Sequence, residues 1–280
     1  MIVSMKTILE IADAENIAIG AFNVTELEGI QAVLGAAEEL GKPVIIQFAP
    51  VHEEYISLNT LGPIMVMMAE KATVPVCVHL DHCDNFDMIR NALEMGFSSI
   101  MYDGSMLPFE KNCAYTKTAV EIARMYGASV EAEIGAMNSE DGKAQNDCYT
   151  DPDEAKRFVD ATGIDALACS FGTVHGLYTA APNLDFDRIV KIREKIGIPI
   201  VMHGGSGVSD EDFRKCIERG VRKINYYTYR AKAGGEYVKQ KCMETEGPVF
   251  FHDITCWARD CMKADVLHAM SIFTGCEKEA

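Results

Sequence analysis

The chain has 280 residues and a mass of 30.8 kDa, enough for one large α/β barrel or two small domains. With 48% hydrophobic and 24% charged residues it is not a disordered chain, and a formal net charge of −16 argues against nucleic acid or an anionic membrane as partner. A phosphorylated small molecule stays open, because a metal or a helix N-terminus can reverse the field inside one pocket.

The opening MIVSMKTILEIADAEN has the acidic, amphipathic pattern of a short helix and not of a leader peptide. No apolar run approaches the ~18 residues that suggest a membrane span. The ten cysteines are scattered without CxxC spacing, so reduced thiols and a cytoplasmic location are expected.

After that opening the pattern repeats as strand, loop, helix. Strands are predicted at 17–24, 43–49, 74–81, 98–104, 129–135, 166–172, 198–204 and 223–228. Most are β-branched or small apolar runs without clean alternation, as strands buried on both faces should be. The helical stretches between them often open on Ser, Thr, Asp or Asn and close on Gly. Such a repeat predicts a single α/β domain over 1–280, a closed (β/α)₈ TIM barrel, for which about 250 residues is typical. WARDCMKADVLHAMSIFTG adds an extra C-terminal helix. An open doubly-wound sheet would need a Gly-rich dinucleotide turn after an early strand, and AFNVTELEG offers none. The polar stretch 137–152 reads as a solvated connection by composition and as a lid by function.

Barrel chemistry is assembled at the C-terminal strand edge. That edge reads Asn23, Gln47, Asp81–His82, Asp103, Glu133, the loop to His175, then His203 and Asn225. Three imidazoles with acidic neighbours suit an open divalent-metal site, since catalytic zinc takes about three protein ligands and keeps one position free. A single histidine is more often structural; His79 is expected to be a hydrogen-bonded barrel residue, and His52, His252 and His268 lack metal-type context. Asp103 lies in DGS, which is also good turn chemistry. Cys83 and Cys169 are weaker candidates for ligation, because enough N and O donors exist. GTVHG (172–176) and HGGSG (203–207) place glycines where backbone N–H groups could approach a phosphate, with Ser206 and Thr228 as hydroxyl donors.

The motifs AFNV, HLDHC, SSIMYDGS, VEAEIG, GTVHGLY, HGGSGV and KIN…T, in this order up to about residue 230, resemble the class II, metal-dependent ketose-bisphosphate aldolases of the fructose- and tagatose-bisphosphate type. The resemblance implies a zinc-dependent (β/α)₈ enzyme, dimeric or tetrameric, cleaving a ketose 1,6-bisphosphate to dihydroxyacetone phosphate and glyceraldehyde 3-phosphate. It implies zinc on His82, His175 and His203, with Glu133 as an alternative ligand and Asp103 beside it. Asp81 becomes the acid/base at the C4 hydroxyl, and Asn23 and Asn225 contact substrate. Gly176, Gly204, Gly205, Ser206 and Thr228 become the phosphate pocket. A sodium or potassium ion is a further cofactor that it admits.

Three departures stand out. The loop carboxylate that exchanges the C3 proton is ambiguous between Glu140 and Asp141. Ala49 stands where a serine often touches substrate, and NYYTYR carries Tyr226 and Tyr227 where smaller residues are usual. Arg230 is placed to attract a distal phosphate but matches no family role. An aldolase for a different phosphorylated ketose, or a non-catalytic barrel partnering an aldolase, are the alternatives; retention of His82, His175, His203 and Asp81 counts against the second.

Overall fold

A computed structural model describes residues 1–135, 149–174, 176 and 182–276. Eight parallel strands close into a barrel in simple sequential order: β1 Ile19–Asn23, β2 Val44–Phe48, β3 Val76–Cys83, β4 Ser99–Tyr102, β5 Ser129–Ile134, β6 Ala166–Cys169, β7 Ile200–Met202 and β8 Val221–Asn225. β8 pairs back on β1, Ala21 opposite Asn225. Helix α1 (Met5–Glu15) precedes β1, and α2 (Leu27–Leu40), α3 (Leu58–Lys71), α4 (Phe86–Glu94), α5 (Phe109–Met125), α6 (Pro152–Thr162), α7 (Phe186–Ile196) and α8 (Asp210–Glu218) follow β1 to β7 in turn. Two further helices, α9 (Thr228–Glu244) and α10 (Phe251–Thr274), complete the ring.

Helix starts follow the sequence signals. Ser4, Asn85, Asp151, Asp185 and Ser209 each accept a backbone N–H of the first turn of α1, α4, α6, α7 and α8. The main core lies between strands and outer helices; a smaller one joins Met5, Ile8 and Leu9 of α1 to Ile19, Ile45 and Val201. Because those residues stand near the starts of their strands, α1 stoppers the barrel's N-terminal end. The C-terminal edge alone is left for chemistry.

Three boundaries depart from expectation. β3 runs to Cys83, two residues past Asp81, through a register shift between Leu80 and Cys83 against β4. β8 ends at Asn225, and Thr228 begins α9 instead of ending a strand. Helix α9 was hidden by Gly234 and Gly235, residues that weaken a helix by about 1 kcal/mol each relative to Ala. Packing explains Gly234: a Cβ there would come within 2.9 Å of Met262 on α10.

Candidate active site

The strand edge forms a cavity of about 520 Å³ whose walls include Asn23, Asp81, His82, Asp103, Glu133, Gly176, Gly204, Gly205, Ser206, Asn225 and Thr228. These are expected site residues from seven different strand ends or loops, brought together by barrel closure. His175, Glu140 and Asp141 lie outside the described residues.

Asp81 is the centre of a polar clamp. Its Oδ2 accepts from Asn23 Nδ2 at 3.0 Å and Gln47 Nε2 at 3.0 Å, and its Oδ1 from Asn225 Nδ2 at 3.2 Å. Gln47 also donates to Asn23 Oδ1 at 2.8 Å, which fixes the amide orientations. Burial alone would raise the Asp81 pKa; the facing His82, Lys223 and His203 charges outweigh it and hold the carboxyl well below the usual range. Asp81 is 2% exposed and remains an anion.

His82 follows with φ of 47°, one of two non-glycine residues in the left-handed region among the described residues. Such backbone is unfavourable for a side chain with a Cβ and is characteristic of functional sites. It turns consecutive residues 81 and 82 toward one cavity, where a regular strand would send them to opposite faces. His82 Nδ1 is 2.8 Å from Asp103 Oδ2, and Asp103 Oδ1 accepts from the Ser105 N–H and hydroxyl. Asp103 thus makes the turn that DGS suggested and also holds the His82 imidazole. Burial pulls the His82 pKa down, but Asp81, Asp103 and Glu133 together carry it up to about 10.

The rings of His82 and His203 meet edge to face, centroids 4.5 Å apart. His203 Nε2 is 2.8 Å from Glu131 Oε1, and Nδ1 is 3.5 Å from Glu133 Oε2. Glu131 in turn pairs with Lys223 Nζ at 2.8 Å, all of it 0% exposed. Burial opposes ionisation of Glu131, but Lys223 and His203 bring its pKa down to about 2. Glu131 and Lys223 escaped the sequence reading. The available signal was period two: Glu131 shares the inward face with Glu133, and Lys223 with Asn225. His79 is fully buried, bonded through Nδ1 to Ser99 Oγ at 2.9 Å, and neutral because burial and Lys223 lower its pKa to about 3.

Ligand atoms of Asp81, His82 and His203 lie within 4.8 Å of one another, as do those of His82, Asp103 and Glu133. Glu133 Oε2 is buried with no hydrogen-bond partner, and burial with nearby Asp103 pushes its carboxyl up to about 8. A dication would relieve both features, so imidazole and carboxylate donors here fit zinc in type and spacing. Cys83 and Cys169 stay thiols: burial raises both, Cys83 to about 11.

At the β7–β8 side, Gly204 has φ of 66°, and a Cβ there would sit 2.2 Å from the Val174 carbonyl. Ser206 Oγ accepts the N–H groups of Tyr227 and Tyr229 at 3.3 and 3.4 Å, so its own proton is available to a ligand. Tyr226 turns into the core against Phe22 and Phe273, while Tyr227 lines the cavity. His52, expected to be structural, also lines it. Arg230 does not: it is 0% exposed, donating to Glu26 at 3.0 Å and to the Asn23 carbonyl at 2.8 Å.

Residues 3–278 match the family model described as fructose-bisphosphate aldolase class-II. Among solved structures, the YdjI aldolase of Escherichia coli K12 is 36% identical, with a TM-score of 0.88 over 98% of this chain and 97% of that one. A chain assigned as fructose-1,6-bisphosphate aldolase from Coccidioides immitis is 33% identical, TM-score 0.84, covering 96% and 95%. Fructose-bisphosphate aldolase from Campylobacter jejuni, at 23% identity and TM-score 0.83 over 97% and 95%, shares the fold.

Proposed function

This chain belongs to the class II fructose-bisphosphate aldolase family, and from that premise we propose a zinc-dependent, reversible aldol cleavage of a phosphorylated ketose to dihydroxyacetone phosphate and an aldehyde. Fructose and tagatose 1,6-bisphosphate, yielding glyceraldehyde 3-phosphate, are the substrates to assay first. The observation that carries the reading is Asp81: a buried, ionised carboxylate clamped by amides beside a His82–His203 pair.

His82 and His203, with His175, would hold the ion, and Glu133 and Asp103 stand beside it. Bound zinc supplies Lewis acidity to the ketone and stabilises the charge left when the C3–C4 bond breaks. Asp81 takes the C4 hydroxyl proton as that bond breaks and returns it to the aldehyde oxygen in condensation. Its low pKa keeps it ready to accept. Asn225 and Asn23 hold the carboxylate and offer amide contacts to the sugar oxygens. The Gly204–Ser206 turn and the first turn of α9 seat the phosphate next to the carbonyl, where backbone N–H groups and the helix dipole favour an anion. Glu131 and Lys223 keep His203 in one tautomer and orientation.

The test is bound-metal analysis joined to a retro-aldol assay on phosphorylated ketoses. Chelation should abolish cleavage and zinc should restore it. A purified chain that holds no metal and ignores chelators contradicts the proposal.

A further inference from the structure

Asp81 is held by amides from two strands, Asn23 at the end of β1 and Asn225 at the end of β8. The ladder joining those strands stops short of Asn23. Its last pair is Ala21 opposite Asn225, followed by the bond from the Tyr226 N–H to the Ala21 carbonyl. Beyond that point Arg230 carries the connection. From the first turn of α9 it donates through Nη2 to the Asn23 carbonyl at 2.8 Å and through Nη1 to Glu26 Oε1 at 3.0 Å. Asn23 is thereby held at three atoms: its carbonyl by Arg230, Oδ1 by Gln47, and Nδ2 on Asp81.

The guanidinium is fully buried, and its Nε has no hydrogen-bond partner. Helix α2 makes room for it: a Cβ on Gly29 would lie 2.7 Å from Nη1 and 2.3 Å from Glu26 Oε1. The guanidinium carbon is 5.8 Å from the ring centroid of Tyr227, which lines the cavity where Arg230 does not. The cation therefore reaches a substrate only through the groups it holds. Stability is a poor account of such a pair, because apolar groups of like volume in place of a buried ion pair are often neutral or stabilising. Direction is a better account. The planar fork fixes two acceptors at a set angle, which an ammonium on a flexible stem does not.

Resting on the aldolase reading above, we propose that Arg230 is a positioning residue for the step at C4. By tying the Asn23 backbone to the α9 segment that follows Asn225, it keeps the two amides in register and Asp81 aimed at the C4 hydroxyl. Glu26 holds the guanidinium in the orientation that this requires.

The experiment compares zinc-loaded wild type with Arg230→Lys and with the double variant Glu26→Gln, Arg230→Met, which leaves no charge stranded. Two rates are followed. One is cleavage of the phosphorylated ketose that the wild type uses. The other is solvent exchange of the C3 hydrogen of dihydroxyacetone phosphate, which involves no C4 hydroxyl and so makes no call on Asp81. Both variants should lose about ten- to hundredfold in kcat for cleavage, the cost of a small misplacement, while KM and the exchange rate stay within about twofold. Zinc content and the denaturant midpoint should stay near wild type. Parallel loss of cleavage and exchange overturns the inference, since a general loosening of the barrel edge lowers both. An unchanged kcat in either variant overturns it too. If the double variant does not fold, Arg230→Lys decides by the same two rates. In all these cases the wild type still cleaves and exchanges, so only this inference fails. If the wild type does neither, the aldolase reading fails and takes the inference with it.

Discussion

At the residue scale, the site rests on carboxylates whose charge states are set by what faces them. Asp81 is an anion because buried cations outweigh its desolvation, whereas Glu133, next to Asp103, is pushed the other way, up to about 8. Asp81→Asn keeps the side chain's size and removes the base, so kcat should fall by about 10²–10⁴ while zinc content is unchanged. Glu131→Gln removes the charge that orients His203; zinc affinity, measured by chelator competition, should weaken about 10–100-fold. His82 supplies a pH prediction. Its raised pKa stabilises the metal-free fold fully below the ordinary histidine value of 6.5, and that contribution is lost as pH rises through about 10. Zinc must displace the same proton. Calorimetry near pH 7 in buffers of different ionisation heat should therefore show proton release on binding, from His82 and from Glu133. Buffer-independent enthalpies would refute this assignment.

At the element scale, strand ends matter more than strand interiors. The left-handed turn at His82 and the register shift after Leu80 let one segment deliver Asp81 and His82 to the same cavity. The β7–α8 turn depends on Gly204 in the same way: a methyl group there meets the Val174 carbonyl at 2.2 Å on a backbone of positive φ. Gly204→Ala should cost about 1–3 kcal/mol of strain or more, read as a lower denaturant midpoint, and should raise KM for the phosphorylated ketose. Position alone made these glycines and histidines legible, because apolar runs stop where they begin. Helix α9 was not legible, since Gly234 serves a contact with α10 that lies far away in sequence.

At the scale of the whole molecule, the ring is closed from outside by α10, which buries Val266, Met270 and Phe273 in the main core and Met262 against Gly234 of α9. Phe273 packs edge to face on Phe213 at 4.9 Å and on Tyr226 at 6.3 Å, and its carbonyl accepts from the Ala18 N–H just before β1. Phe273→Ala should destabilise the protein by about 3–5 kcal/mol in a denaturant titration. The same substitution should disturb Tyr226, which connects this outer contact to the segment carrying Tyr227 and Thr228.

What the amino-acid order determined by itself was the barrel and the inventory of its edge. Alternating apolar runs and capped helices are local signals, and a histidine at the end of a β-type run is visible without its neighbours. Tertiary structure alone decided the partnerships. Lys223 could not be tied to Glu131, nor Tyr227 to His52, because their separation along the chain hides a contact that exists only after the strands have closed into a ring. Arg230 shows the reverse case: a cation well placed along the chain, which folding turned inward onto Glu26 because the helix that carries it packs there.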